Sequence, residues 1–209
     1  MTRPTLSEVI EGRLISDASE IVATLDEPVR AIDLLGRFAA VYRFSADDDG
    51  AWFEECVLAV KTGDGQWVPS GAGGSHGEGW ELPWRPSSLT LDGRTVWVFG
   101  SAGGDLIDDD DRPVFVRGIY GFVEPQVRAI RVSSEDGERT VAVTSPVGAF
   151  VVLVRGEGAV ELQGLDEAGA NLGQPVTKEP IEKGRWSGSR RRSVHHRRVR
   201  GLTWRWTRP

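Results

Sequence analysis

The chain of 209 residues has a single cysteine, Cys56, so no intramolecular disulfide can form. Disulfides persist in oxidising compartments and are rare in the cytosol. The sequence also has no apolar run that approaches the ~18 residues a membrane span needs. Its first residues, MTRPTLSEVIEGRL, place Glu8 and Glu11 where a secretory signal would need an apolar core. We therefore predict a cytoplasmic protein that does not insert into membranes.

Basic charge is scarce in most of the chain and abundant at its end. Residues 1–183 hold 16 basic residues against 31 acidic ones, a net charge of −15, whereas residues 184–209 hold nine arginines and no acid. A body this acidic repels nucleic acid, and only the basic end can attract it. Two origins of that end stay open, a native disordered tail and a frameshifted or read-through end. Its abundance of Arg, Gly, Ser, Pro and Trp fits GC-rich DNA read out of frame.

Residues 1–36 have the spacing of short helices. Thr5 and Glu8 have the spacing of a capping box, in which each residue satisfies a backbone N–H near the other. Further on, apolar residues from Ile21 to Leu35 recur at roughly helical intervals, with a break at Pro28 and a stop at Gly36. We predict an N-terminal helical segment over residues 1–36.

From Arg37 the apolar period changes to two, which predicts an antiparallel β-meander over residues 37–112. Phe38, Tyr42 and Phe44 fall on one face of a first strand, and Cys56 and Leu58 on one face of a second. The stretch 69–88 contains so much Gly and Pro that it predicts a long loop. The stretch 101–113 predicts another loop, which would divide the chain into two sub-domains.

Short strand-like pieces alternate with turns over residues 113–173, the pattern of a β-sandwich. The apolar piece AFVVLV should be a central strand. With VRAIRVSSEDGERTVAV, GAFVVLV and VELQGLDEAGANLG, residues 114–173 resemble the immunoglobulin-like or carboxypeptidase-regulatory-like β-sandwich modules of bacterial proteins. The resemblance implies a supporting or binding module rather than a catalyst. Residues 174–209 are predicted to be a linker followed by a disordered Arg-rich tail. The predicted fold class is thus mainly β.

Binding residues are predicted in the loop 71–86. Trp80, Trp84 and Arg85 lie there on a Gly- and Pro-rich background, where rigid aromatic rings can anchor a partner at little entropic cost. The opposite interpretation is that the two tryptophans fold back over the open end of the sheet. His76 is the sole histidine outside the basic tail and lies between Ser75 and Glu78. His76 is predicted as a fourth binding residue of this loop. It is also the one candidate for a general base, and the alternative is an ordinary loop histidine.

No metal site, cofactor or catalytic set is predicted. The acidic run from Asp105 to Asp111 lacks the spacing of an EF-hand loop, and runs of like charge are more often solvated. His195 and His196 have no neighbouring Cys or acid to complete a tetrahedral site. Cys56 is expected to be a packed, inert thiol.

These observations favour a non-catalytic, soluble binding or interaction protein whose loop 71–86 contacts an unknown protein partner or a small ligand. Two alternatives belong to other classes. One is a hydrolase-like enzyme that uses the His76 loop, and the other is weak nucleic-acid binding by the Arg-rich tail, as expected of arginines that contact phosphates. The identity of the ligand is not encoded in any motif of the sequence.

Overall fold

A computed structural model describes residues 5–12, 29–46, 51–78 and 93–181 of the chain. This part is mainly β, as predicted, with one short helix, α1 (Leu6–Gly12), and antiparallel sheets. Its strands, in chain order, are β1 (Val29–Leu35), β2 (Phe38–Ala46), β3 (Ala51–Lys61), β4 (Trp67–Glu78), β5 (Val96–Ile107), β6 (Pro113–Val123), β7 (Ala129–Ser134), β8 (Gly137–Ala142), β9 (Ala149–Arg155), β10 (Val160–Leu165) and β11 (Asn171–Lys178).

The described strands form three sheets. The first sheet has the order β1-β2-β3-β4, the middle sheet β5-β6-β9, and the third sheet β11-β10-β7-β8. One apolar cluster fills the space between the first and middle sheets, and a second fills the space between the middle and third sheets. The middle sheet is therefore covered on both faces.

Alternation along β2 shows how the sequence produces these layers. Phe38, Tyr42 and Phe44 point together into the cluster shared with the middle sheet, as the period of two predicts. The residues between them, Ala39 and Val41, point to the other face of the first sheet. The meander predicted from Arg37 onward is confirmed through β2 and β3, which pair in register from Phe38 to Ala46.

Helix α1 covers part of the outer face of the first sheet. The predicted capping box is present, because the Thr5 N–H donates to the Glu8 carboxylate at 2.6 Å and the Glu8 N–H donates to the Thr5 hydroxyl at 3.2 Å. Val9 and Ile10 are buried and pack in the same cluster as Trp67 of β4. The helix thus protects one end of the outer face and leaves the other end of β3 and β4 uncovered by it.

The predicted helix over residues 29–35 is wrong, because these residues form β1. Ala31 and Leu35 face the cluster shared with the middle sheet, while Ile32 and Leu34 face the cluster beneath α1. A strand that is apolar on both faces has no clear period of two, so a short apolar run of this kind resembles a helix. Residues 13–28 lie outside the described part of the chain.

The described parts of the two predicted loops are mostly strand. Residues 69–78 belong to β4, and residues 101–107 belong to β5. Two glycines of β5 provide room for packing rather than turns. A Cβ on Gly100, just before the second predicted loop, would overlap Tyr120, and a Cβ on Gly103, within that loop, would overlap Phe115. Gly and small residues therefore let the bulky side chains of β6 lie across β5, which composition alone cannot distinguish from a loop.

The predicted sub-domain limits fall at particular points of this architecture. The limit between residues 112 and 113 lies at the turn of the hairpin β5–β6, which pairs from Val96–Val123 to Ile107–Pro113. The cluster between the first and middle sheets takes residues from both sides of that limit. Residues 174–178, predicted as linker, are part of β11. The Arg-rich end after residue 181 lies outside the described residues.

The four strand-like pieces predicted after Pro113 are confirmed as β7, β8, β9 and β10. β9 is central in the sense that both of its faces are buried. In the hydrogen-bonded order, however, β6 is its one partner among the described strands. In the described ranges no helix is both long and apolar enough to cross a membrane.

Candidate binding cleft on strands β3 and β4

The predicted site residues fall at or beyond the end of β4. The backbone of His76 lies opposite Phe53 of β3, and its side chain is outside the described part. Trp80, Trp84 and Arg85 belong to residues 79–92, which are also outside it. The structure consequently gives no contacts for the predicted binding side chains and directs attention to the strand that precedes them.

An open cleft of about 190 Å³ lies on this strand. Its lining residues are Phe53 and Glu55 of β3 and Ala72, Gly73, Gly74 and Ser75 of β4. The four consecutive small residues of β4 leave space above the strand, because none has a large side chain. Phe53 and Glu55 supply an aromatic ring and a carboxylate from the neighbouring strand. The cleft can therefore hold a small group with an apolar part and a cationic or hydrogen-bonding part.

The glycine at position 74 is required by the local backbone. A Cβ added there would overlap the main-chain carbonyl oxygen of Glu54. At Gly71, earlier in the same strand, a Cβ would meet nothing within 4 Å. Packing therefore excludes a larger residue at position 74 but leaves space for one at position 71.

Glu54 is a buried acid at the base of the same hairpin, with 3% of its surface exposed. Its carboxylate accepts a hydrogen bond from the Ser75 hydroxyl at 2.7 Å and another from the Tyr42 hydroxyl at 3.4 Å. Burial raises the pKa of Glu54, and these two hydrogen bonds oppose that rise. Ser75 is itself exposed, so this network connects the interior to solvent beside the cleft.

Aromatic packing holds the inner end of this network. The rings of Tyr42 and Tyr120 stack with centroids 4.8 Å apart, and Phe122 meets Tyr42 edge-on at 6.1 Å. Burial raises the pKa of Tyr42 and of Tyr120, and both remain neutral phenols at physiological pH. Cys56 is fully buried beside them, and burial raises the pKa of its thiol, which agrees with the predicted inert cysteine.

The charged wall of the cleft is an ion pair across β2 and β3. Arg43 Nη1 lies 3.5 Å from Glu55 Oε2, and both side chains are partly exposed. Because solvent reaches both groups, the pair contributes little to stability. The ion pair nevertheless holds the Glu55 carboxylate in place, two residues along the strand from Phe53.

The acidic run from Asp105 to Asp111 begins in β5, which contains Asp105, and continues into the hairpin turn that starts at Asp108. Asp108 Oδ1 accepts the backbone N–H groups of Asp110 and Arg112, each at 2.9 Å, and these bonds close the turn between β5 and β6. They also lower the pKa of Asp108. Within the described ranges, no three His, Cys, Asp or Glu side chains are grouped so as to hold a metal ion.

Glu54, Ser75 and Phe53 are the residues that sequence reasoning missed. The signal was available, because the period of two places Glu54 on the apolar face of WFEECVLAV together with Cys56 and Leu58. A charged residue within an apolar face requires a polar partner, and Ser75 supplies it from the paired strand.

Comparisons with known proteins identify no relative of this chain. No protein-family model, curated protein or solved structure matches this chain. The resemblance of residues 114–173 to immunoglobulin-like modules accordingly stays a prediction.

Proposed function

We propose that this protein is a non-catalytic binding or interaction protein that takes its ligand or partner at the cleft on β3 and β4. The observation that carries the proposal is the exposed run of small residues from Ala72 to Ser75 beside Phe53 and Glu55. The site lies at the start of the segment 71–86 in which the sequence predicts binding residues. The single, buried Cys56 is also compatible with the proposed cytoplasmic location.

The test is a fragment screen by protein NMR with the full-length chain. Small aromatic amines and guanidines are suitable probes, because they match the ring of Phe53 and the carboxylate of Glu55. The expected result is a set of shifts confined to the amides of Phe53, Glu55 and residues 72–75. Ala72→Arg should abolish these shifts by filling the cleft, whereas Ser70→Arg, on the same strand but outside the lining, should preserve them. Shifts scattered over the surface, or none, would reject the binding site.

A hydrolase-like activity is the second candidate, favoured by one contact. The hydroxyl of the exposed Ser75 donates a hydrogen bond to the buried Glu54 carboxylate, and His76 follows Ser75 in the sequence. A serine nucleophile needs such a base. A fluorophosphonate probe followed by proteolysis and peptide mass spectrometry tests it. Labelling at Ser75 but not at Ser70 would support the enzyme, and equal inertness of both serines would reject this serine nucleophile. Nucleic-acid binding by the tail stays a prediction on residues outside the described part.

A further inference from the structure

We infer that the partner is an extended, basic peptide that adds to β4 as a further strand. This inference rests on the proposed binding function and specifies its chemistry. Strand addition gives affinity through main-chain hydrogen bonds, and pockets beside the edge give specificity through alternate side chains. The cleft of Phe53 and Glu55 would be such a pocket.

The far edge of β4 is open in the described part of the structure. β4 ends the order β1-β2-β3-β4, and no described strand pairs with its other side. At 12 residues it is long for an edge strand. Natural proteins usually shorten, charge or cover such an edge, because it is a template for another chain.

The direction of the backbone N–H groups follows from the register. Thr62 of the turn after β3 donates its N–H to Gln66, whereas the N–H of Lys61 points the other way, to Arg37. Even-numbered residues of β3 therefore donate toward β4. Ala72 and Gly74 lie opposite the odd-numbered Val57 and Glu55, so their own N–H groups point away from β3. These two groups are the donors that an added strand would use.

The side chains at these positions do not hinder a second backbone. Ala72 carries one methyl group and Gly74 none, and both residues are exposed. The first residues of β4 are unsuitable for pairing with an added strand. Pro69 has no N–H, and the register with β3 shifts between Leu58 and Ala59. Trp67 uses its outward N–H on the Ser7 hydroxyl at 3.0 Å. The open edge thus begins near Gly71 and coincides with the cleft.

Charge selects a basic peptide. Residues 1–183 carry a net charge of −15, which accelerates association with cationic partners at low ionic strength. At the site, Glu55 presents a partly exposed carboxylate whose Oε2 is shared with Arg43. A Lys or Arg side chain over Phe53 would pair with this carboxylate and place its stem on the ring.

The experiment is a selection from a phage-displayed library of random peptides, with the full-length protein as target. Selected peptides should be rich in Lys or Arg and β-branched residues. Bound to the protein, they should slow hydrogen exchange at the Ala72 and Gly74 amides as measured by NMR. N-methylation of a peptide at alternate positions should weaken binding about tenfold for each main-chain bond lost, whereas methylation at the intervening positions should have little effect.

Variants of the protein complete the test. Ala72→Pro removes one outward N–H and should weaken peptide binding by about tenfold, while Gly71→Ala keeps every outward N–H and should leave binding unchanged. If Ala72→Pro fails to fold, the N-methylated peptides still decide the question. Binding that is insensitive to the methylated position, or selected peptides that protect another strand, would overturn strand addition.

The outcomes separate this inference from the function on which it rests. If fragments bind the cleft but no selected peptide protects Ala72 and Gly74, the site binds small ligands and the inference is wrong. If neither binds, both fail. Protection of these amides without any peptide would also overturn the inference: dependence on protein concentration would identify a second copy as the occupant, and independence a segment of the same chain.

Discussion

Arg139 of β8 donates hydrogen bonds from both Nη atoms to the carboxylate of Asp33 in β1, which joins the third sheet to the first. Both groups also contact the main chain of Leu153 in β9, where Asp33 Oδ2 accepts the N–H at 2.7 Å and Arg139 donates to the carbonyl at 2.7 Å. At Leu153, side chains thus take the place of a neighbouring strand, because β9 has no described strand on the side opposite β6.

Asp33→Ala should therefore lower the free energy of unfolding by about 2–4 kcal/mol, because it leaves the Leu153 N–H and Arg139 without their acceptor. Urea denaturation measures this loss. The control is Glu138→Ala, which breaks the exposed pair with Arg131 and should cost about 1 kcal/mol or less. Equal costs for the two variants would show that Asp33 has no special structural role.

Gly74→Ala should destabilise the protein by about 1–3 kcal/mol, because the added methyl group overlaps the Glu54 carbonyl oxygen. Gly71→Ala has free space at the same strand and should stabilise by about 0.4–1 kcal/mol through the unfolded chain. Thermal unfolding followed by circular dichroism distinguishes the two. A Gly74→Ala protein as stable as the wild type would contradict the packing described for this hairpin.

The raised pKa of Glu54 predicts a pH dependence of stability. The folded state holds this proton more tightly than the unfolded chain, so the contribution of Glu54 is fully present below its ordinary pKa of 4.5 and is lost as the pH rises through the raised value. Relative to the wild type, Glu54→Gln should gain stability across that interval. Denaturation of both proteins between about pH 4 and 8 measures the difference.

Glu8 supplies a control of opposite sign. The Thr5 backbone N–H and then its hydroxyl lower the pKa of Glu8, so its contribution is present above pH 4.5 and is lost as the pH falls through the lowered value. Glu8→Gln should show its difference from the wild type only above that range. If the stability difference from the wild type had the same pH profile in both variants, these two pKa shifts could not be the cause of the pH dependence.

Arg117 is a buried cation whose replacement should stabilise the protein. It is 1% exposed, its Nη1 donates to the Glu179 carbonyl at 3.2 Å, and its Nε has no hydrogen-bond partner among the described residues. Burial lowers its pKa. Arg117→Met should raise the free energy of unfolding by about 1–3 kcal/mol, since a chain of similar volume replaces a desolvated charge.

Arg131→Met serves as the comparison for Arg117, because Arg131 is only partly buried and bonds Asn171 at 2.8 Å. Arg131→Met should lower the free energy of unfolding by up to about 1 kcal/mol. Chemical denaturation of the two methionine variants measures the contrast. A large loss for Arg117→Met would indicate that the buried charge is needed by the fold.

The sequence predicted those strands that have a clean period or a short apolar run between turns. β2, β3 and the strands from β7 to β10 have such patterns, because one face is polar or a turn motif marks each end. β1 lacked that contrast: Ile32 and Leu34 are apolar toward α1, and Ala31 and Leu35 are apolar toward the middle sheet. A two-sided apolar strand cannot be recognised until its neighbours are known.

Glycines of β4 and β5 led to wrong loop predictions for a different reason. Gly73 lies against Ala102, Gly100 under Tyr120 and Gly103 under Phe115, so each is small because a side chain from another sheet or strand occupies its space. Such a contact depends on residues far away in the chain, and local composition contains no trace of it. The cleft was missed with the strand, and the segment 71–86, in which the sequence predicts binding residues, overlaps its lining at residues 72–75.

The late position of β9 in the sequence delays completion of the fold while the chain is being synthesised. Asp33 emerges 120 residues before Leu153, whose N–H it will accept. Until β9 has been synthesised, Phe38, Tyr42 and Leu58 of the first sheet lack a complete cover. Contacts of such sequence separation slow folding, and apolar surface that waits for its partner is open to chaperones and to aggregation. The nascent chain is thus most vulnerable between the synthesis of the first sheet and that of residue 155.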